Sequence, residues 1–249
     1  MVDHRWKRPG SAVSGGGGAG REKGAPGRVR RLRVPRTARY HLLGGGGEVR
    51  EVWVVLHGYR QLAGRFLRRF AGLGDPARLI AAPEALSRFY VDPAERRHGP
   101  QHRVGASWMT RVEREWEIGD YVGYLDRLAD TVFREIPREG IDLRLLGFSQ
   151  GAHTAARWAV LGAHPPDQLV LWGAYLPPDL DPEEAAPRLR SMEVVLVRGD
   201  ADPTADEDRR RDEEERLRAW EVHYRVLRHP GGHEVDPATL ERLTGEPTG

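Results

Sequence analysis

Ser149, Asp202 and His233 are the residues whose types and order could do chemistry in this chain. Ser149 lies in LLGFSQGAH, residues 145–153, between Gly147 and Gly151 in the spacing G-x-S-x-G. Leu145 and Leu146 run into the first glycine as a buried strand would, and the residues after Ser149 suit a helix. Such a turn is so tight that side chains two before and two after the serine would collide with each other or with the helix, and it lifts the hydroxyl to the apex. A hydroxyl is a poor nucleophile until an imidazole takes its proton, and the imidazole needs a carboxylate to fix its tautomer. Asp200 and Asp202 follow the strand-like EVVLVRG, 193–199, and His233 follows VHYRVLRH, 222–229, beyond Pro230 and two glycines. Serine, acid and histidine therefore come in that order, each after a strand. Asp202, three residues past Gly199, is the favoured acid, because Asp200 sits tight against the strand end and could cap the loop. His229 is the rival base, but it falls at the end of its strand with Pro230 turning the chain away.

The same chemistry needs amide donors for an oxyanion, each worth roughly 10²–10³ in rate. The amide of Gln150 opens the helix after the turn and has no intrahelical partner. The second donor is expected from LHGYRQ, 56–61, through the amide of Tyr59. His57 in that loop comes too early in the chain order to be the base and is expected to be structural. Leu62, Trp108, Met109 and Trp172 are expected to line a substrate pocket, and Phe66 is expected in the core. His98 and His102 are four apart, which suits a metal only on a helix, and Gly99-Pro100 between them forbids one. No metal and no cofactor is required by this scheme.

Elements must hold these residues in place. VWVVL within 49–59, RLIAAP (78–83), DLRLLGF (142–148), QLVLWGA (168–174), EVVLVRG and VHYRVLRH read as buried or half-buried strands. Between them, 118–135 puts Tyr121, Leu125, Leu128 and Val132 on one stripe, and 151–162 and 206–220 can each hold a helix. A short helix is expected to begin near Asp236. This alternation predicts an α/β fold with a central, mostly parallel sheet and helices on both faces, where ligands bind beyond the carboxyl ends of the strands. VRRLRV (29–34) and ARYHLLG (38–44) are expected to pair as a hairpin. Residues 84–119 carry no regular pattern and are expected to form a substrate-facing flap. The acid and base run 206–216 reads as a solvated helix face.

Composition narrows the options. With no cysteine among 249 residues, thiol nucleophiles, disulfides and Cys-based metal sites are excluded. Residues 1–27, Gly- and Arg-rich with SGGGGAG at their centre, are expected to be a disordered tail, with one domain over 28–249. No apolar run approaches the roughly 18–20 residues that span a bilayer, so a cytoplasmic protein without membrane insertion is expected. Lys7 and Lys23 are the only lysines; the arginines of 28–39 have only Tyr40 beside them for stacking, so nucleic acid is not an expected partner.

Four segments coincide in one pattern: LHGY (56–59), GFSQG (147–151), VRGDADP (197–203) and GGH (231–233). Together they resemble the phospholipase/carboxylesterase branch of the α/β-hydrolase superfamily, which includes acyl-protein thioesterases, over the chain from about Val29 to the last helix. The resemblance implies the α/β-hydrolase fold, Ser149 as nucleophile, Asp202 as acid, His233 as base, and the amides of Tyr59 and Gln150 as the oxyanion hole. It implies a small-molecule acyl ester as substrate, with thioesters and lysophospholipids as the related classes. One departure is visible: members commonly read H-G-x-G after the first strand, and Arg60 stands in place of that second glycine. An acyltransferase on the same triad, a peptidase and a non-catalytic binding protein of the same fold are the alternatives, and the oligomeric state stays open, a homodimer included.

Overall fold

Continuous β-branched and leucine-rich runs become the strands of one sheet. The computed structural model describes residues 28–92 and 99–245. In chain order its strands are β1 (Tyr40–Gly44), β2 (Glu51–Leu56), β3 (Arg78–Pro83), β4 (Ser87–Tyr90), β5 (Val104–Ser107), β6 (Asp142–Phe148), β7 (Gln168–Trp172), β8 (Glu193–Gly199) and β9 (Tyr224–His229). Seven of them form a sheet in the order β1-β3-β2-β6-β7-β8-β9, antiparallel only at β1. The helices are α1 (Ala63–Leu67), α2 (Arg114–Glu135), α3 (Gln150–Leu161), α4 (Pro182–Arg190), α5 (Glu207–Ala219) and α6 (Pro237–Gly245).

Successive side chains of a strand point to opposite faces, and the core divides accordingly. Val52, Val54 and Leu56 of β2 join α2, α3, α4 and α5 on one face, whereas Trp53 and Val55 join α1 and α6 on the other. The predicted stripe of α2, Tyr121, Leu125, Leu128 and Val132, is buried. Arg144 of β6 is 3% exposed and bonds the end of α6, its guanidinium donating to the Leu243 carbonyl at 2.6 Å. No helix among the described residues is long and apolar enough to cross a membrane.

Three expectations need correction. Residues 28–39 form no strand, and Val29, Leu32 and Val34 are exposed; β1 pairs with β3 instead, Tyr40 opposite Pro83. The stretch 84–119 is more regular than expected, for β4 and β5 pair antiparallel, Ser87 opposite Ser107, and α2 starts at Arg114. In the charged run of α5, Glu213 is not solvated: it is 2% exposed, paired with Arg198, and accepts the Leu176 amide at 2.6 Å. Chain packing divides residues 1–37 from a compact unit over 38–249, and the expectation of a disordered tail over 1–27 lies outside the described residues.

Candidate active site

β6 ends at Phe148 and α3 begins at Gln150, which leaves Ser149 alone to turn the chain. It does so at φ 55°, ψ −121°, a sparsely populated region that costs a non-glycine residue about 1–3 kcal/mol. Main-chain bonds hold the strain: the Ser149 amide donates to the Trp172 carbonyl of β7 at 2.8 Å, and its carbonyl accepts from Ala152 at 2.9 Å. Both flanking glycines are demanded by close approach. A Cβ on Gly147 would lie 2.2 Å from the Gly151 carbonyl oxygen, as the sequence anticipates. A Cβ on Gly151 would lie 2.1 Å from the Leu56 carbonyl oxygen and 2.7 Å from that of His57, so its obstacle is the neighbouring strand.

Asp202 and His233 meet beyond the carboxyl ends of β8 and β9. The His233 Nδ1 lies 2.8 Å from Asp202 Oδ2, with side-chain exposures of 26% and 6%. Their two loops are joined through the main chain: Asp200 donates to the His229 carbonyl at 2.8 Å and Ala201 to that of Gly231 at 3.1 Å. Asp200 itself is turned away, its carboxylate bonded to Arg228 at 2.7 Å. Burial raises the Asp202 carboxyl, but hydrogen bonds from Thr204 and His233 outweigh it and hold the group below the usual carboxylate range. Phe148, next to Ser149, packs against the His233 ring at 4.9 Å between centroids, which brings the serine and histidine loops side by side.

The loop after β2 reaches the same place, since a Cβ on Gly58 would lie 3.2 Å from that of Ser149. Gly58 donates to the Gln61 side chain at 2.9 Å, Arg60 to the Ala106 carbonyl at 3.0 Å and Gln61 to the Gly58 carbonyl at 3.2 Å. The amide of Tyr59 is left without a partner among the described residues. Arg60 adopts φ 66°, so it takes the left-handed conformation that glycine would adopt without strain. His57 is buried, with Nδ1 against the Gly58 carbonyl at 2.8 Å and Nε2 accepting the Ala85 amide at 3.1 Å. Burial pushes its imidazole below the ordinary range against the pull of Gly58 and Glu84, so it braces the loop as a neutral ring.

The expected pocket residues separate. Leu62 and Met109 are part-buried beside the core. Trp108 and Trp172 are 3% and 1% exposed and belong to the core clusters on opposite faces of the sheet. Each indole has a structural partner: Trp108 donates to the His57 carbonyl at 2.8 Å, and Trp172 to that of Glu234 at 2.8 Å. Phe66 is buried against Phe148. His98 lies outside the described residues, and His102 Nδ1 accepts the Gly99 amide at 2.8 Å.

Two features escaped sequence reasoning. The Gln150 side chain clasps the segment after β5, its oxygen accepting the Trp108 amide at 3.0 Å and its nitrogen donating to the Met109 carbonyl at 2.8 Å. Thr204 binds Asp202, and Asp-Pro-Thr could have announced it as a side-chain-bonded turn. One turn along α3 from Ser149, His153 is pushed down to about 4 by burial and by Arg157.

Solved structures share this architecture. Acyl-protein thioesterase 2 of Zea mays superposes with a TM-score of 0.61 at 19% identity, covering 84% of this chain and 97% of that one. A carboxylesterase from Mesorhizobium loti gives 0.63 at 19% identity, over 84% and 95%, and the Bacillus cereus carboxylesterase 0.62 at 14%, over 84% and 92%. The fold is the α/β-hydrolase fold, as expected. No curated protein matches the chain by sequence. The family model for serine hydrolase (FSH1) matches residues 53–243, from within β2 to within α6. A match over that much of its length means that the chain belongs to the serine hydrolase (FSH1) family.

Proposed function

We propose that this serine hydrolase cleaves small carboxylic esters through an acyl-enzyme on Ser149. The observation that carries the reading is the 2.8 Å contact between His233 Nδ1 and Asp202 Oδ2, made beside Phe148, the residue before the strained Ser149. With Nδ1–H engaged by the carboxylate, Nε2 is left with its lone pair to take the serine proton. The serine oxygen attacks the ester carbonyl, and the oxyanion is received by the amides of Tyr59 and Gln150. Collapse breaks the ester bond, and the alcohol leaves with the proton from His233. Water then gives its proton to His233 and attacks the acyl group, and collapse breaks the bond to Ser149 as His233 returns the proton to the serine oxygen, releasing the acid. None of these steps needs a metal or a cofactor. The neighbours described as a thioesterase and carboxylesterases support an acyl ester or thioester as the substrate class, and Leu62 and Met109 are the residues we place against the acyl chain.

The test is hydrolysis of p-nitrophenyl esters from acetate to decanoate by the wild type and Ser149→Ala, with folding verified. Loss of a triad nucleophile removes on the order of 10⁶ in kcat in a serine hydrolase, so the variant should fall by several orders of magnitude. Hydrolysis that survives in Ser149→Ala, or a wild type that neither turns over an ester nor is labelled at Ser149 by a fluorophosphonate, sinks the mechanism.

A further inference from the structure

We infer that Thr204 is a positioning residue that aims the Asp202 carboxylate and thereby sets the tautomer of His233, an inference that rests on the triad reading above. The two oxygens of Asp202 have separate partners. Oδ1 accepts the Thr204 hydroxyl at 2.7 Å and the Thr204 amide at 2.8 Å, while Oδ2 faces His233 Nδ1 at 2.8 Å. Two donors on one oxygen fix the rotation of the carboxylate, so that the other oxygen stays on the imidazole.

The proton count of the hydroxyl adds a second effect. Thr204 Oγ1 also lies 3.4 Å from His233 Nδ1. Its single hydrogen goes to an ionised carboxylate, which only accepts, and it turns a lone pair toward the ring. Nδ1 then faces two oxygens that both present lone pairs, and only the tautomer with hydrogen on Nδ1 suits that environment. The lone pair on Nε2 is the form that takes a proton from serine. The turn places Thr204 without help from distant elements, since the Asp202 amide donates to the Gly199 carbonyl at 3.3 Å and Ala205 donates to that of Asp202 at 3.0 Å.

Thr204→Val keeps the shape and the amide and deletes the hydroxyl; Thr204→Ser keeps the hydroxyl. A hydrogen bond to a charged group of this kind implies a loss of about tenfold or more in kcat for Thr204→Val, with KM within about twofold because no substrate contact is removed. A carboxylate held by the amide alone, with the Oγ1 lone pair gone from Nδ1, stabilises the imidazolium less, so the acid-limb pKa of kcat/KM should fall in Thr204→Val. Thr204→Ser should restore both the rate and the profile. The inference is overturned if Thr204→Val keeps the wild-type kcat and pH profile, or if Thr204→Ser is impaired equally with a matching fall in Tm, which marks a packing role. Fluorophosphonate labelling separates the two failures: a wild type unlabelled at Ser149 overturns the triad and this inference with it, whereas labelling with an indifferent Thr204→Val overturns the inference alone.

Discussion

Gly151→Ala is the perturbation whose outcome follows most directly from the packing. The added methyl would stand 2.1 Å from the Leu56 carbonyl oxygen and 2.7 Å from that of His57, the first more than an ångström inside ordinary contact. Both obstacles are main chain, so no side-chain rotation relieves the overlap. Overpacking of this sort costs about 1–3 kcal/mol, which at roughly 2–4 °C per kcal/mol for a chain of this size lowers Tm by about 2–12 °C. Activity should suffer more than stability. Leu56 and His57 lead straight into Tyr59, and Gly151 follows Gln150, so one displacement moves both proposed oxyanion donors. Misplacement by about 1 Å can cost 10²-fold, and kcat/KM on p-nitrophenyl butyrate should drop by about that factor or more. Gly123→Ala is the control: it lies within α2, where an added Cβ meets nothing within 4 Å, and should gain about 1 kcal/mol with kcat/KM unchanged. Calorimetry and initial rates on the three proteins decide the matter. A Gly151→Ala enzyme with wild-type kcat/KM would refute the reasoning.

Two further outcomes follow from the same geometry. Arg60→Gly should keep its activity and raise Tm by up to about 3 °C, since it removes a left-handed cost of about 1–2 kcal/mol and returns part of it as glycine's chain entropy; a lower Tm, or activity down more than tenfold, would show that the side chain matters. For His153 the folded value, about 4, lies below the ordinary 6.5, so the unfolded chain takes the proton first as pH falls. Its contribution is complete above pH 6.5 and is lost as pH drops toward 4, by about 2 kcal/mol at pH 5 before solvent screening trims it. Urea midpoints at pH 7.5 and 5.0 should draw together in His153→Gln, and an unchanged difference would reject the assignment.

Local pattern made the sheet legible and left its partnerships hidden. β6 and β8 match their predicted bounds because their largely apolar stretches end at a turn or a glycine. VRRLRV alternates like a strand, but alternation names no neighbour, and β1 found β3 instead. β4 and β5 are four residues each, with Arg88 and Gly105 inside them, too short and mixed to show a period. α2 begins four residues early because Arg114–Glu117 is a charged first turn whose Trp116 is exposed and joins no apolar stripe. α4, PEEAAPRLR, was missed because Pro187 lies inside the helix. Chain order after strands was enough to bring Asp202 and His233 together. The roles of the tryptophans stayed hidden because an aromatic near a site reads the same whether it faces substrate or, like Trp108, hands its N–H to a carbonyl under the loop.

The sheet order has a consequence for how the site comes apart. Ser149 and the Tyr59 loop rise from β6 and β2, strands with a neighbour on each side, whereas Asp202 and His233 hang from β8 and β9, and β9 has β8 alone beside it. Edge elements open at lower free energy than central ones. Fraying that begins at β9 dissolves the proton relay while the serine still stands on an intact centre, so inactivation on warming outruns unfolding, and the first species formed is a folded but silent enzyme.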